Sequence, residues 1–240
     1  MTRASSIFVL IPTILVAVAG CGQSQADGPS AWVGRAYLVT PADPYTYLTE
    51  PSDRTLTKAL ATFIPNFLLK VNSVSGGQVE LTVAPADKQN TSPEQDLCTV
   101  TVEASATVSS YPKIQIGPMD LPLYVTNTPE GEASVTVRTT VREFSLSDVL
   151  PSGDVVSETG KFSALVDIRE LAPLLINMKG LSPEQVCDVI KSEFTAECTP
   201  CPDAQVLCLL FEAENIGATE AATNVKTVSE SDLAPSCPQP

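Results

Sequence analysis

Seven cysteines and no histidine decide which chemistry this chain can carry. Cys198-Thr199-Pro200-Cys201 has the C-x-x-C spacing of a redox dithiol. Such a pair works when its first cysteine opens a helix after a strand. Here a helical pattern precedes it, and Pro200 and Pro202 point to a loop. The cysteines between Cys187 and Cys208 also lack the doubled C-x₂-C spacing of a zinc site. Without histidine there is no Ser-His or Cys-His nucleophile pair and no imidazole base or metal ligand. Asp167, Arg169 and Glu170 are the densest charged cluster beside an apolar run. They read as a local ion pair, because no two carboxylates are spaced as a hydrolytic pair. A non-enzyme with no metal and no cofactor is expected.

Six cysteines, Cys98, Cys187, Cys198, Cys201, Cys208 and Cys237, form an even set, which reads as a disulfide framework in an oxidising compartment. Six allow 15 pairings, and spacing alone does not choose among them. Four of them lie between Cys187 and Cys208, so at least one local bridge is expected there.

The seventh, Cys21, follows Val18-Ala19-Gly20 and an apolar run from Ile7 to Ala19, with Arg3 near the start. A basic start, a short apolar core and small residues before a cut describe a secretory signal peptide, residues 1–20. The run is too short for a membrane span of about 20 residues and is broken by Pro12 and Thr13. Val18-Ala19-Gly20-Cys21 resembles the lipobox of bacterial lipoproteins. The resemblance implies cleavage before Cys21, diacylation of its thiol and acylation of the new amine. In Gram-negative lipoproteins an Asp after the cysteine favours inner-membrane retention. Gly22 therefore implies the outer membrane, with the domain facing periplasm or cell surface. A lipidated cysteine, a small-residue tether, a β-rich body and a Cys-rich C-terminal third together resemble envelope lipoproteins of Gram-negative bacteria. The expected partners are the bilayer, through acylated Cys21, and an envelope protein or apolar small molecule.

Taking away Arg3 leaves 13 basic residues against 28 acidic ones, a formal charge near −15. Such a surface repels nucleic acid, which is excluded as a partner. The length suits one domain or two small ones, and is enough to bury a sizeable core.

The expected fold is α+β: mainly antiparallel sheet of six to nine strands, about two helices, stabilised by disulfides. Residues 21–31 read as the lipidated N-terminus and flexible tether, 32–214 as the globular domain, and 215–240 as a mostly irregular tail pinned by Cys237. Period-2 alternation marks Gln78–Ala84 and Cys98–Val108 as half-buried strands. Further strands are expected at Trp32–Val39, Lys113–Ile116, Leu121–Val125, Ala133–Leu146, Lys161–Ile168 and Gln205–Glu212. Pro122 argues for a sheet edge. Asp53 is placed to cap a helix running to Ile64. Ser182 and Gln185 form a capping box, with Pro183 at the first helical position and the helix ending near Phe194.

Two further surfaces carry functional readings. Tyr45 and Tyr47, in a proline-punctuated loop, could meet a partner or a sugar ring, or simply cap the core edge. The apolar stretch from Phe63 to Val71 could line a groove for an acyl chain, through Phe63, Phe67 and Leu68, or belong to the core. Asp148 to Asp154 lacks the repeated acidic spacing of a calcium loop. Asn90-Thr91-Ser92 matches a glycosylation sequon by chance.

Overall fold

The alternation of Val79, Leu81 and Val83 with Gln78 and Glu80 sets the pattern for the fold. The first three are buried and the last two exposed on one continuous strand. The structure is a computed structural model that describes residues 28–40, 48–56, 64–86, 93–111, 113–127, 135–149, 151–152, 160–171, 180–194, 196–235 and 237. Its strands are β1 (Ala36–Val39), β2 (Leu48–Glu50), β3 (Phe67–Ser75), β4 (Gln78–Pro85), β5 (Val102–Ser110) and β6 (Lys113–Asn127). They continue with β7 (Val135–Val149), β8 (Pro151–Ser152), β9 (Lys161–Asp167), β10 (Thr199–Pro200), β11 (Val206–Glu214) and β12 (Ala218–Ala221). Two helices are α1 (Ile168–Leu171) and α2 (Pro183–Phe194). Among the described residues no helix is long and apolar enough to cross a membrane.

Twelve strand segments exceed the expected six to nine. The surplus is β2, β8 and β10, each of three residues or fewer. Such stubs are too short to show a period in sequence.

All twelve belong to one sheet. β3, β4, β5, β6, β7, β9 and β11 pair antiparallel in that succession. β1 pairs with β3 on one side and β12 on the other. Since β12 follows β11 after only residues 215–217, the ladder closes on itself through the bent β11–β12 strand. The closure shows inside: the rings of Phe67 on β3 and Phe144 on β7 lie 4.9 Å apart, edge to face, although three strands separate them in the sheet order. Phe162 on β9 continues the stack at 5.7 Å from Phe144. A roll of about eight strands has an interior just wide enough for side chains to fill, and these rings fill it. Each buried Phe contributes on the order of 2–3 kcal/mol.

Ile168 and Leu171 of α1 and Val186 and Ile190 of α2 join the same core. α2 starts as its sequence dictates: Ser182 N donates to Gln185 Oε1 (2.8 Å) and Gln185 N to Ser182 Oγ (3.4 Å). Asp53 Oδ1 likewise accepts from the amides of Thr55 and Leu56, and 54–56 are helical. Residues 57–63 of the expected helix lie outside the described residues, and Ile64, its expected last residue, sits in a bend.

A second apolar cluster, with Ala36, Leu68, Ala84, Ala86, Ala221 and Val225, lies on the outer side of β1, β3 and β4. The C-terminal segment covers it as a strap. Lys70 Nζ donates to Val225 O (3.0 Å), the Gln95 side chain brackets Lys226, and Thr101 N donates to Val228 O (2.9 Å). The Cys98–Cys237 disulfide fastens the far end. The tail is thus tied down, and it contributes β12 and a 3-10 turn at Glu230–Asp232.

Several boundaries differ from the sequence expectation. β1 begins at Ala36 because Pro29–Trp32 forms a 3-10 turn and Gly34 then turns the chain at φ +81°. β5 begins at Val102: Asp96 accepts from Cys98 N and Thr99 Oγ1, holding 96–99 in a side-chain-built turn. Lys113–Ile116 and Leu121–Val125 are one strand, β6, which shifts register around Gly117. A Cβ at Gly117 would sit 2.2 Å from Phe144 O, and its φ is +81°, so only glycine fits. Pro122 lies where β6 pairs with β7 alone, since β5 reaches only Ile116. That is a local edge, where a missing N–H costs nothing. Pro151-Ser152 pairs parallel with β12.

Candidate functional site

The cysteines settle first. Cys98 bonds Cys237, Cys187 bonds Cys198, and Cys201 bonds Cys208. Two bridges are local, where at least one was expected. Cys198 and Cys201 are not bonded to each other, so the C-x-x-C is not a dithiol pair. Cys187–Cys198 ties the first half of α2 to the segment entering β10, and Cys201–Cys208 staples β10 to β11. Cys21 lies outside the described residues.

The charged cluster Asp167–Arg169–Glu170 is the most developed polar constellation among the described residues. It forms where β9 turns into α1. Asp167 is 1% exposed. Its Oδ1 accepts from Arg169 N (2.9 Å) and Nε (2.8 Å), and its Oδ2 from Arg169 Nη2 (2.6 Å). This fork-like grip is the strong geometry for an Arg–carboxylate pair. Arg169 Nη1 continues to Asp203 Oδ2 at 2.7 Å. Hydrogen bonds to Asp167 and then Asp203 raise the proton affinity of Arg169 further, so it is always charged. The bond from Arg169, followed by that from Gln205 N, holds the Asp203 carboxyl below its ordinary pKa.

On the other side Glu170 reaches β7. Its Oε2 accepts from Thr139 Oγ1 (2.9 Å) and Thr140 N (2.6 Å), and its Oε1 from Arg142 Nη2 (2.8 Å). Arg142 Nη2 also lies 3.9 Å from Asp167 Oδ2. Sequence reading named Asp167, Arg169 and Glu170, and missed Arg142, Thr139, Thr140 and Asp203. Arg142 is brought in by the bulge that follows it: Glu143 has φ +51°, and the β7–β9 register shifts between Arg142 and Ser145. Bulges re-aim side chains in this way, and nothing in the β7 sequence announces one. Arg142 Nε is buried without a hydrogen-bond partner among the described residues.

What this arrangement can do chemically is limited. Every carboxylate oxygen of Asp167 and Glu170 already accepts from a donor, leaving neither poised to move a proton. The Asp167 carboxylate lies within 4.8 Å of the sulfurs of Cys201 and Cys208. Sulfurs joined in a disulfide are not thiolates, the form that binds metal. The cluster is a clamp between α1, β7 and the β10–β11 turn.

Compared with known proteins, the chain matches no family model, no curated protein and no solved structure.

Phe67 and Leu68 are both 0% exposed. Consecutive on β3, they face opposite ways: Phe67 into the roll against Phe144, Leu68 outward under the strap. They share no wall of a groove, and Phe63 lies outside the described residues. Tyr45, Tyr47, Asn90 and Asp154 also lie outside them. Two polar clefts lie among the described residues. One, of about 330 Å³, is lined by Arg35, Lys70, Glu220 and the strap; its charges are engaged, Arg35 with Glu220 (3.1 Å) and Lys70 with Val225 O. The other, of about 190 Å³, lies over Ser145, Ser163 and Glu212.

Proposed function

We propose that the protein is a lipid-anchored envelope protein that acts without catalysis, by presenting its disulfide-braced roll to a partner protein. The observation that carries this reading is the cysteine balance. The six downstream cysteines pair among themselves, and Cys21 is the seventh, outside those three pairs. It stands directly after Val18-Ala19-Gly20, where the lipobox resemblance makes it the acyl acceptor. Two or three acyl chains, at about 0.8 kcal/mol per buried CH₂, hold a protein stably on a bilayer. Gly22 directs the anchored chain to the outer membrane. The filled interior and the separate burial of Phe67 and Leu68 favour a partner at the surface over an apolar ligand within. The lack of histidine and the saturated Asp167–Glu170 clamp favour a binding role over a hydrolytic one. A structural part in an envelope complex is the alternative form of the same reading.

Two experiments test it. Intact mass spectrometry of protein purified from membranes should give a chain starting at Cys21, carrying acyl mass and three disulfides. Cys21→Ser should move the protein from the membrane to the soluble fraction. An unmodified Cys21 thiol, or full membrane retention of Cys21→Ser, overturns the anchor. Native mass spectrometry separates the roles: a co-purifying apolar small molecule would overturn the partner reading in favour of a ligand carrier.

A further inference from the structure

Three segments meet at one end of the roll. The first is the 3-10 turn Pro29–Trp32 with Val33 and Gly34, where the described chain begins. Trp32 stacks on Tyr111, with ring centroids 5.6 Å apart and planes 16° from parallel. That contact joins the first segment to the β5–β6 turn. Gly34 N donates to Val71 O and Val71 N to Arg35 O, which joins it to β3. The β3–β4 turn, with Gly76 and Gly77 at positive φ, is bound in turn to β5, since Val108 N donates to Gly77 O.

This end differs from the rest of the surface in two independent ways. First, its own segments are poor in negative charge. Residues 28–34, 71–79 and 104–119 contain no Asp or Glu, in a chain with 28 of them, and include Lys113; the carboxylates that reach them, Glu80 on Ser105 Oγ and Glu103 on Asn72 Nδ2, come from the bordering residues. Second, it shows apolar and aromatic surface. Of the four large hydrophobic side chains that stand exposed among the described residues, Val33 (46%) and Tyr111 (43%) flank the Trp32 stack.

We infer that this end is the face the protein lays against the lipid bilayer, with Tyr111 and Val33 at the headgroup level. The inference rests on the lipid-anchor reading above. The occupant follows from where the chain goes. The eight residues from Cys21 to Gly28 span at most about 29 Å by any path, so an acylated Cys21 holds the membrane close to Trp32. An anionic headgroup repels the acidic remainder of the surface, and this carboxylate-poor end approaches at lower cost. Tyrosine is suited to that depth, with an apolar ring and a polar tip. The partner-binding surface is then the opposite end and the flanks of the roll.

Trp32 is the only tryptophan in the chain, which makes it a native probe. The acylated full-length protein is reconstituted into phosphatidylethanolamine–phosphatidylglycerol vesicles, with and without a nitroxide on the headgroup, and floated on a density gradient. The expected result is co-flotation with a marked loss of Trp32 emission in the nitroxide vesicles. Co-flotation with unchanged emission overturns the membrane-facing end while leaving the anchor intact. Failure of the acylated protein to float overturns the anchor, and this inference with it.

Discussion

Arg142 Nη2 lies 2.8 Å from Glu170 Oε1 and 3.9 Å from Asp167 Oδ2, so one cation of β7 stands between a carboxylate of α1 and one of β9. Glu170 is the hinge of this arrangement, because it also takes Thr139 Oγ1 and Thr140 N. Glu170→Ala should lower stability by about 2–4 kcal/mol, since it strands two buried donors and weakens an ion pair. Urea unfolding checks this. A midpoint indistinguishable from the parent would mean that α1 is held by its apolar side chains alone.

Asp203 gives the clamp a pH dependence. Its carboxyl is held below the ordinary value by Arg169 and Gln205 N. A depressed carboxylate contributes stability that is fully present above its unfolded pKa, near ~3.9, and is lost as pH falls through the folded value. Asp203→Asn should therefore be less stable than the parent at pH 6, with the two curves converging in strong acid. A difference that persists undiminished at low pH would assign the effect to packing.

The Cys98–Cys237 bridge closes a 139-residue separation. Replacing both cysteines by serine should cost up to about 4–5 kcal/mol in the chain-entropy model. Protection of the Thr101 and Val228 amides against hydrogen exchange should fall first, since both lie in the strap contact. Exchange that rises uniformly over the sheet instead would show that the strap has no independent opening.

Gly117→Ala should destabilise strongly, because the new methyl meets the Phe144 carbonyl in a backbone region that disfavours side chains. Thermal unfolding would show it; an unchanged midpoint would mean that β6 can shift away from β7 at no cost.

Much of the roll was legible in the chain. Alternation at Val79, Leu81 and Val83 gave β4, and Ser182-Pro183-Glu184-Gln185 gave the start of α2, because periodicity and caps are local effects. The even cysteine set promised disulfides but not their pairing, which depends on where distant segments meet. Asp96 delayed the start of β5 through a local side-chain turn that the alternation of the sequence masks, and Glu143 turned Arg142 toward Glu170 through a bulge. The bulge is decided by pairing with β9, which is distant in sequence. The closure of the ladder was hidden for the same reason: β1 and β12 are short, and their partnership spans almost the whole chain.

The closed ladder bears on how copies of the protein meet. A bare strand edge would offer unpaired backbone groups to another chain and invite polymerisation. Here β12 is taken by β1 and β8, and the outer margin of β11 is occupied by two stubs, β10 near Cys208 and β2 near Glu212. The Cys201–Cys208 bond locks the first of these in place. The shortest strands in the molecule thereby guard it against its own copies.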